Sequence, residues 1–178
     1  MRREITNSQR LEFDQAIRQQ LAQLVESDAI RSLAAYCPFD GEPDIMPLCG
    51  QLSEKGVDIA LPKIAKSGRQ MEFHRWEPGQ ALAINRFGIA EPVDTVKKSI
   101  ADVELLLLPL VGYDRLGNRI GLGAGYYDRH LEALRDAPVP LRVGVAYSLQ
   151  EIELIDCHDR DIALQGVVNE NGWFTFDR

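Results

Sequence analysis

The sequence predicts a three-layer α/β domain in which helices flank a mostly parallel central sheet. Three observations carry that prediction. Segments of strand character alternate with segments of helical apolar spacing, the pattern that lays crossover helices over a parallel sheet. The stretch Val103 to Leu110, VELLLLPL, is apolar almost without interruption, as a central strand buried on both faces has to be. The chain has 178 residues, 45% hydrophobic and 26% charged, enough for one sizeable core and short for two. One domain over residues 1–178, Rossmann-like in arrangement, is therefore expected.

Taken in order, Asn7 or Ser8 can cap a first helix that runs to about Glu26 and carries Leu11, Ile17, Leu21, Leu24 and Val25 on one face. Ser32 to Cys37 (SLAAYC) has the character of a short buried strand, and Pro38 stops it. After the loop Phe39 to Asp44, a helix is expected from about Ile45 to Lys55, with Gly56 just past its end. Val57 to Leu61 is the next strand, closed by Pro62. Ser67-Gly68-Arg69 and Pro78-Gly79 are expected turns around a short strand, Met71 to Arg75; the rest of the stretch to Pro92 is the least regular in the chain. The leucine-rich strand then leads through a glycine-rich loop into a helix from Tyr126 to about Arg135. Leu141 to Ala146 is a further buried strand, and Val167-Val168 and Trp173 to Phe176 add short terminal ones.

The formal net charge of −7 argues against a broad nucleic-acid surface, which needs clustered Lys and Arg. It leaves room for a small anionic ligand. Cys37, Cys49 and Cys157 form no close pair, so neither a disulfide framework nor a zinc site is expected. MRREITNSQR lacks an apolar signal region, and the longest apolar run, Leu105 to Val111, is too short to span a bilayer. A cytoplasmic monomer with no membrane partner is the expectation.

The chemistry concentrates in Gly112 to Leu131, GYDRLGNRIGLGAGYYDRHL, with glycines at 117, 121, 123 and 125. Alternating glycines permit positive φ and clear side chains from a close ligand. The loop follows a buried strand and opens a helix, where N–H groups can converge on an anion, with Arg119 and Arg129 nearby. The common phosphate fingerprints are not met: GxGxxG needs glycine where Tyr126 stands, and a P-loop needs a lysine absent here. On spacing alone, a phosphate cradle and a merely tight strand-to-helix connection weigh equally.

RIGLGAGYYDRHL also resembles the signature of the 5-formyltetrahydrofolate cyclo-ligase family, R-L-G-x-G-x-G-Y/F-Y-D. Arg119, Gly121, Gly123, Gly125, Tyr126, Tyr127 and Asp128 stand at its fixed positions, with Ile120 in place of leucine. PLVGYDRLGNR before it, YCPFDGEPDIMPL, ALPKI, MEF and GIAEP upstream, and DRDIALQGVV downstream follow the family's landmarks in order. The likeness thus covers nearly the whole chain. It implies an enzyme that uses ATP and Mg2+ to close 5-formyltetrahydrofolate into 5,10-methenyltetrahydrofolate. It further implies that Arg119, Ile120, Gly121, Leu122, Gly123, Ala124, Gly125, Tyr126 and Tyr127 meet ATP, with Arg119 and Tyr127 catalytic. Leu122 to Tyr126, with Cys37 and Glu42, would also meet the folate, and Asp128 and Asp161 the Mg2+.

Without the resemblance each of these residues has a plainer reading. Asp128 would be an acid favoured by a helix N-terminus, Asp161 part of a solvated charge cluster, Cys37 a small core residue and Glu42 a solvated turn residue. One of Tyr126 and Tyr127 would be a packing aromatic. His74, His130 and His158 are scattered and take no role. The family's basic N-terminal helix is represented only by Arg2 and Arg3, so fewer positive charges are expected to face ATP. The alternative function is a folate- or nucleotide-binding homologue without catalysis. An α/β sugar-phosphate enzyme would explain the glycine loop alone.

Overall fold

Thr6, rather than Asn7 or Ser8, caps the first helix. Its Oγ1 accepts the Gln9 N–H at 3.3 Å and Gln9 Oε1 accepts the Thr6 N–H at 3.2 Å, a capping box. The structure, a computed structural model, describes residues 2–65, 70–134, 137, 139–158 and 161–176. The turn expected at residues 67–69 and the helix end expected near Arg135 lie outside these. Helix α1 (Asn7–Ser27) buries Ile17, Leu21, Leu24 and Val25. Leu11, expected on the same face, is 70% exposed. At helical spacing the inward stripe runs from Leu21 and Ile17 back to Asp14 and Arg10, so the buried face ends in two charged residues rather than in a leucine.

Beyond α1 come β1 (Ser32–Ala34), α2 (Met46–Glu54), β2 (Asp58–Ile64), β3 (Met71–Trp76), β4 (Leu82–Ile84), β5 (Ala90–Pro92) and β6 (Lys97–Lys98). The second half holds β7 (Leu105–Pro109), β8 (Gly112–Tyr113), β9 (Arg119–Ile120), α3 (Tyr126–Leu131), β10 (Leu141–Val145), β11 (Gly166–Asn169) and β12 (Gly172–Thr175). The main sheet has the order β12-β11-β10-β7-β1-β2-β3-β6. Strands β11 to β2 pair in parallel, and β12, β3 and β6 add antiparallel edges.

Strand β7 explains its own composition. Leu105 and Leu107 pack with α1 and α2 on one face, and Leu106 and Leu108 join Leu131 of α3 on the other. Side chains alternate along a strand, so burial on both faces requires the unbroken leucine run; each such side chain contributes about 2 kcal/mol. Pro62 does not end β2 as expected. Ala60 turns its carbonyl to the Ala35 N–H, so Pro62 faces the same side, where β1 has finished and no N–H is needed. The β4–β5 hairpin was not expected, because Leu82, Ala83 and Ile84 are all exposed and show no period-two burial.

From β1 the chain passes through α2 to β2 on one side; from β7 it passes through α3 to β10 and β11 on the other. The C-terminal ends of β1 and β7 therefore flank the point where the winding reverses, the place at which open α/β sheets bind ligands. Among the described residues no helix is long and apolar enough to cross a membrane.

Candidate active site

One wall of that crevice grows from β1. Tyr36 and Cys37 are 1% and 5% exposed, and the Tyr36 hydroxyl donates to the Pro43 carbonyl at 2.9 Å. The following loop closes on itself: Glu42 N–H donates to Phe39 O at 3.1 Å, and Glu42 Oε2 accepts the Phe39 N–H at 2.9 Å. Gly41 sits at φ +78, a region open to glycine at no steric cost. Glu42 is only 6% exposed, not the solvated turn residue its Gly/Pro setting suggests. Burial pushes its carboxyl up to about 7, against the Phe39 N–H and the Arg2 guanidinium, whose Nη1 lies 3.8 Å from Oε1. Burial, then the charges of Asp44 and Glu91, push the Cys37 thiol to about 11. It is a neutral group packed in the core and no nucleophile.

The other wall grows from β7 and the β8–β9 hairpin. Asp114 organises the hairpin. Its fully buried carboxylate accepts the N–H groups of Leu116 and Asn118, each at 2.9 Å, Asn118 Nδ2 at 2.8 Å and the Ile155 N–H at 3.0 Å. The hairpin delivers Arg119, whose side chain is 6% exposed and whose Nη2 donates to Asp128 Oδ1 at 2.6 Å. Arg119 Nε is buried with no hydrogen-bond partner among the described residues, a donor left for a ligand. Residues Gly121 to Ala124 are exposed, and a Cβ added at Gly121 or Gly123 would meet nothing within 4 Å. Ile120 and Leu122 beside them are exposed as well. Gly125, in the left-handed region at φ +61, caps α3. Arg129 braces the loop from behind, with Nη2 on the Ala124 carbonyl at 2.7 Å.

Two findings modify the expected phosphate cradle. Helix α3 ends at Leu131 and continues only as a 3-10 turn, Glu132–Leu134, so its dipole is short and the charge at the site comes mainly from arginine. The two tyrosines also diverge. Tyr126 accepts Arg86 Nη2 at 3.2 Å and meets the Phe87 ring edge-on at 6.1 Å. Tyr127 turns inward: burial raises its phenol well above the usual range, the charge of Glu42 raises it further, Arg119 opposes and Cys37 adds. Both rings pack, partly buried, against the core cluster that holds Leu131.

Asp128 Oδ1 accepts Arg119 and the Ile162 N–H, at 3.3 Å, while Oδ2 has no partner among the described residues. Asp161 precedes Ile162 and is exposed; its Oδ2 accepts the His158 N–H at 2.9 Å. Among the described residues no three His, Cys, Asp or Glu side chains cluster as a metal cage. This donor set fits Mg2+, which takes one or two carboxylates and completes its shell with water and substrate phosphates. Sequence reasoning missed Arg86 and Phe87, which close the crevice from the β4–β5 turn, and Arg10 and Asp114, which hold its two walls. Asp114 had a signal in the aromatic-Asp pair before Gly-x-Arg; the hairpin residues had none.

Comparison with known proteins shows the family and the fold. The model of the 5-formyltetrahydrofolate cyclo-ligase family matches residues 1–170. The 5-formyltetrahydrofolate cyclo-ligase of Haemophilus influenzae is 30% identical over 92% of this chain and 89% of its own. That of Escherichia coli is 31% identical over 94% and 93%. The NMR structure of Aquifex aeolicus 5,10-methenyltetrahydrofolate synthetase superposes with a TM-score of 0.83 at 31% identity, covering 99% of this chain and 88% of that one. The synthetase of Mycoplasma pneumoniae shares the fold at a TM-score of 0.74 and 24% identity, over 95% of this chain and 92% of its own. With the motif, the switch-point crevice and these likenesses in agreement, the chain belongs to the 5-formyltetrahydrofolate cyclo-ligase family of enzymes.

Proposed function

We propose that the chain catalyses the ATP- and Mg2+-dependent closure of 5-formyltetrahydrofolate to 5,10-methenyltetrahydrofolate, releasing ADP and phosphate. The observation that carries this reading is Arg119, buried with an unpartnered Nε, paired with Asp128 and beside an open glycine loop. An amide-like formyl oxygen is a poor leaving group, and phosphorylation makes it a good one. The formyl oxygen attacks the γ-phosphorus, the bond to the bridging oxygen breaks, and ADP leaves with the electron pair. The neighbouring folate nitrogen then attacks the activated carbon and loses its proton, and phosphate leaves as the carbon–oxygen bond breaks.

For such a reaction the protein has mainly to position groups and balance phosphate charge. Arg119 and the N–H groups from Ile120 to Tyr127 would hold the ATP phosphates. Tyr127, kept protonated by burial, would offer its O–H between the two substrates. Glu42 would accept N–H donors of the pterin edge, with Cys37 packed beside it and Leu122 to Tyr126 against the rest of the folate. Mg2+, when bound, would neutralise charge on the phosphates, with Asp128 and Asp161 as its carboxylates. A cytoplasmic monomer goes with this reading.

The test is the absorbance of the methenyl product, with 5-formyltetrahydrofolate, ATP and Mg2+. Wild-type protein should form product only with ATP, and Asp128→Ala should lower the rate about 100-fold or more. A wild type that binds the folate by titration but forms no product would instead be a non-catalytic binder, one that keeps the Arg119–Asp128 pair closed.

A further inference from the structure

Arg10 lies outside the glycine loop, and main chain from two separate segments meets on its guanidinium. Nη1 donates to the Gly41 carbonyl at 2.7 Å and to the Tyr147 hydroxyl at 3.1 Å, and Nη2 donates to the Arg2 carbonyl at 2.7 Å. The group is itself held from behind. It lies over the Tyr147 ring, 5.5 Å from the centroid, and the Tyr147 hydroxyl donates to Asp14 Oδ1 at 2.6 Å. Asp14 and Tyr147 are 5% and 0% exposed. Both carbonyls that Arg10 fixes belong to the same substructure. Gly41 precedes Glu42, and Arg2 sends its side chain to the Leu110 carbonyl at 3.0 Å, to Asp40 at 3.4 Å and to within 3.8 Å of Glu42. A Cβ at residue 41 would stand 3.3 Å from Arg10 Nη2, so the loop is shaped to the guanidinium.

We propose that Arg10 is the positioning residue of the substrate pocket: by fixing the main chain of both Gly41 and Arg2, it holds the Arg2 side chain against Glu42. The proposal rests on Glu42 facing the folate. A planar fork can serve three acceptors in fixed directions, which an ammonium on a flexible stem cannot. Arg10→Lys therefore keeps the charge and loses the geometry. Glu42 faces Arg2, Asp40, the Phe39 N–H and the phenols of Tyr36 and Tyr127. Burial keeps both phenols neutral, so Arg2 is the cation through which Arg10 acts on Glu42.

The test combines the NMR titration of the Glu42 carboxyl with the affinity for 5-formyltetrahydrofolate, in wild type, Arg10→Lys, Glu42→Gln and the double variant. Arg10→Lys should raise the Glu42 pKa further and weaken folate binding on the order of 10-fold. In the Glu42→Gln background the same change should add nothing, because residues acting through one contact are not additive. Tyr147→Phe, which removes one hydroxyl and keeps the ring, should move Glu42 in the same direction by less. An unchanged Glu42 titration in Arg10→Lys, or losses of affinity that multiply in the double variant, would overturn the proposal. A wild type that forms no methenyl product sinks the ligase reaction instead, and leaves the Glu42 titration to decide on Arg10.

Discussion

The two walls of the crevice are built on opposite plans. On the β1 side Tyr36, Cys37 and Glu42 are buried, the loop is closed by its own hydrogen bonds, and Arg2 and Arg10 lock it to α1 and β7. On the β7 side the glycine loop is exposed, with open space over Gly121 and Gly123. A rigid, desolvated wall suits a heterocycle recognised by shape and a few polar groups. An open glycine backbone suits phosphates that arrive with their own charge and fill the space. The difference indicates that one wall is set before binding and that the other is free to complete itself around a ligand.

The open wall nevertheless needs a fixed base, and Asp114 is the residue to remove. Four donors converge on its buried carboxylate, and deleting the acceptor strands them away from water. Asp114→Ala should cost about 4 kcal/mol, read as a lower urea midpoint, and activity should fall with it because the hairpin carries Arg119. A variant as stable as wild type would mean that the hairpin is as yielding as the loop it supports, and the contrast between base and loop would be lost.

Much of the frame was legible in the sequence, because its signals are local. The leucine run of β7, the alternation of strands and helices and the glycine after α2 each arise from neighbouring residues. What stayed hidden depends on distant partners. Leu11 looked like core until Arg10 and Asp14 took the inward positions for Tyr147 and the Gly41 carbonyl. Glu42 looked solvated because Gly and Pro flank it, yet its burial is enforced by Arg2 and the end of β7. The β4–β5 hairpin gave no periodic signal, since β4 is exposed along its whole length and only the β5 side, through Ile89 and Ala90, packs back on the core. The motif placed Arg119 and Asp128 together in sequence, but nothing in it announced that they would pair.

The closed wall can be tested by pH. The folded state raises Glu42 from 4.5 to about 7. A raised pKa means that the fold prefers the protonated acid, so stability is fully present below about 4.5 and is lost as pH rises through about 7. At 1.36 kcal/mol per unit the loss is about 3 kcal/mol. Glu42→Gln imitates the protonated form, so its stability should match wild type at pH 4 and exceed it at pH 8 by roughly that amount. Equal urea midpoints for the two proteins at pH 8 would show that water reaches Glu42 and that this wall is no more closed than the other.

The open wall is tested most gently at Gly123. Its φ of +86 is one that an L side chain adopts only with strain, yet a Cβ there would touch nothing within 4 Å. Gly123→Ala therefore isolates backbone strain from crowding and should cost about 1 kcal/mol of stability. That cost is small because an exposed loop can relax. Its kinetic effect should be lopsided: if phosphates occupy the space above the loop, the new methyl group intrudes on ATP, and the KM for ATP should rise several-fold while the KM for 5-formyltetrahydrofolate stays put. An equal rise in both would mean that the folate shares the loop as intimately as the nucleotide does. The two walls would then be one continuous surface on which both substrates are ordered together.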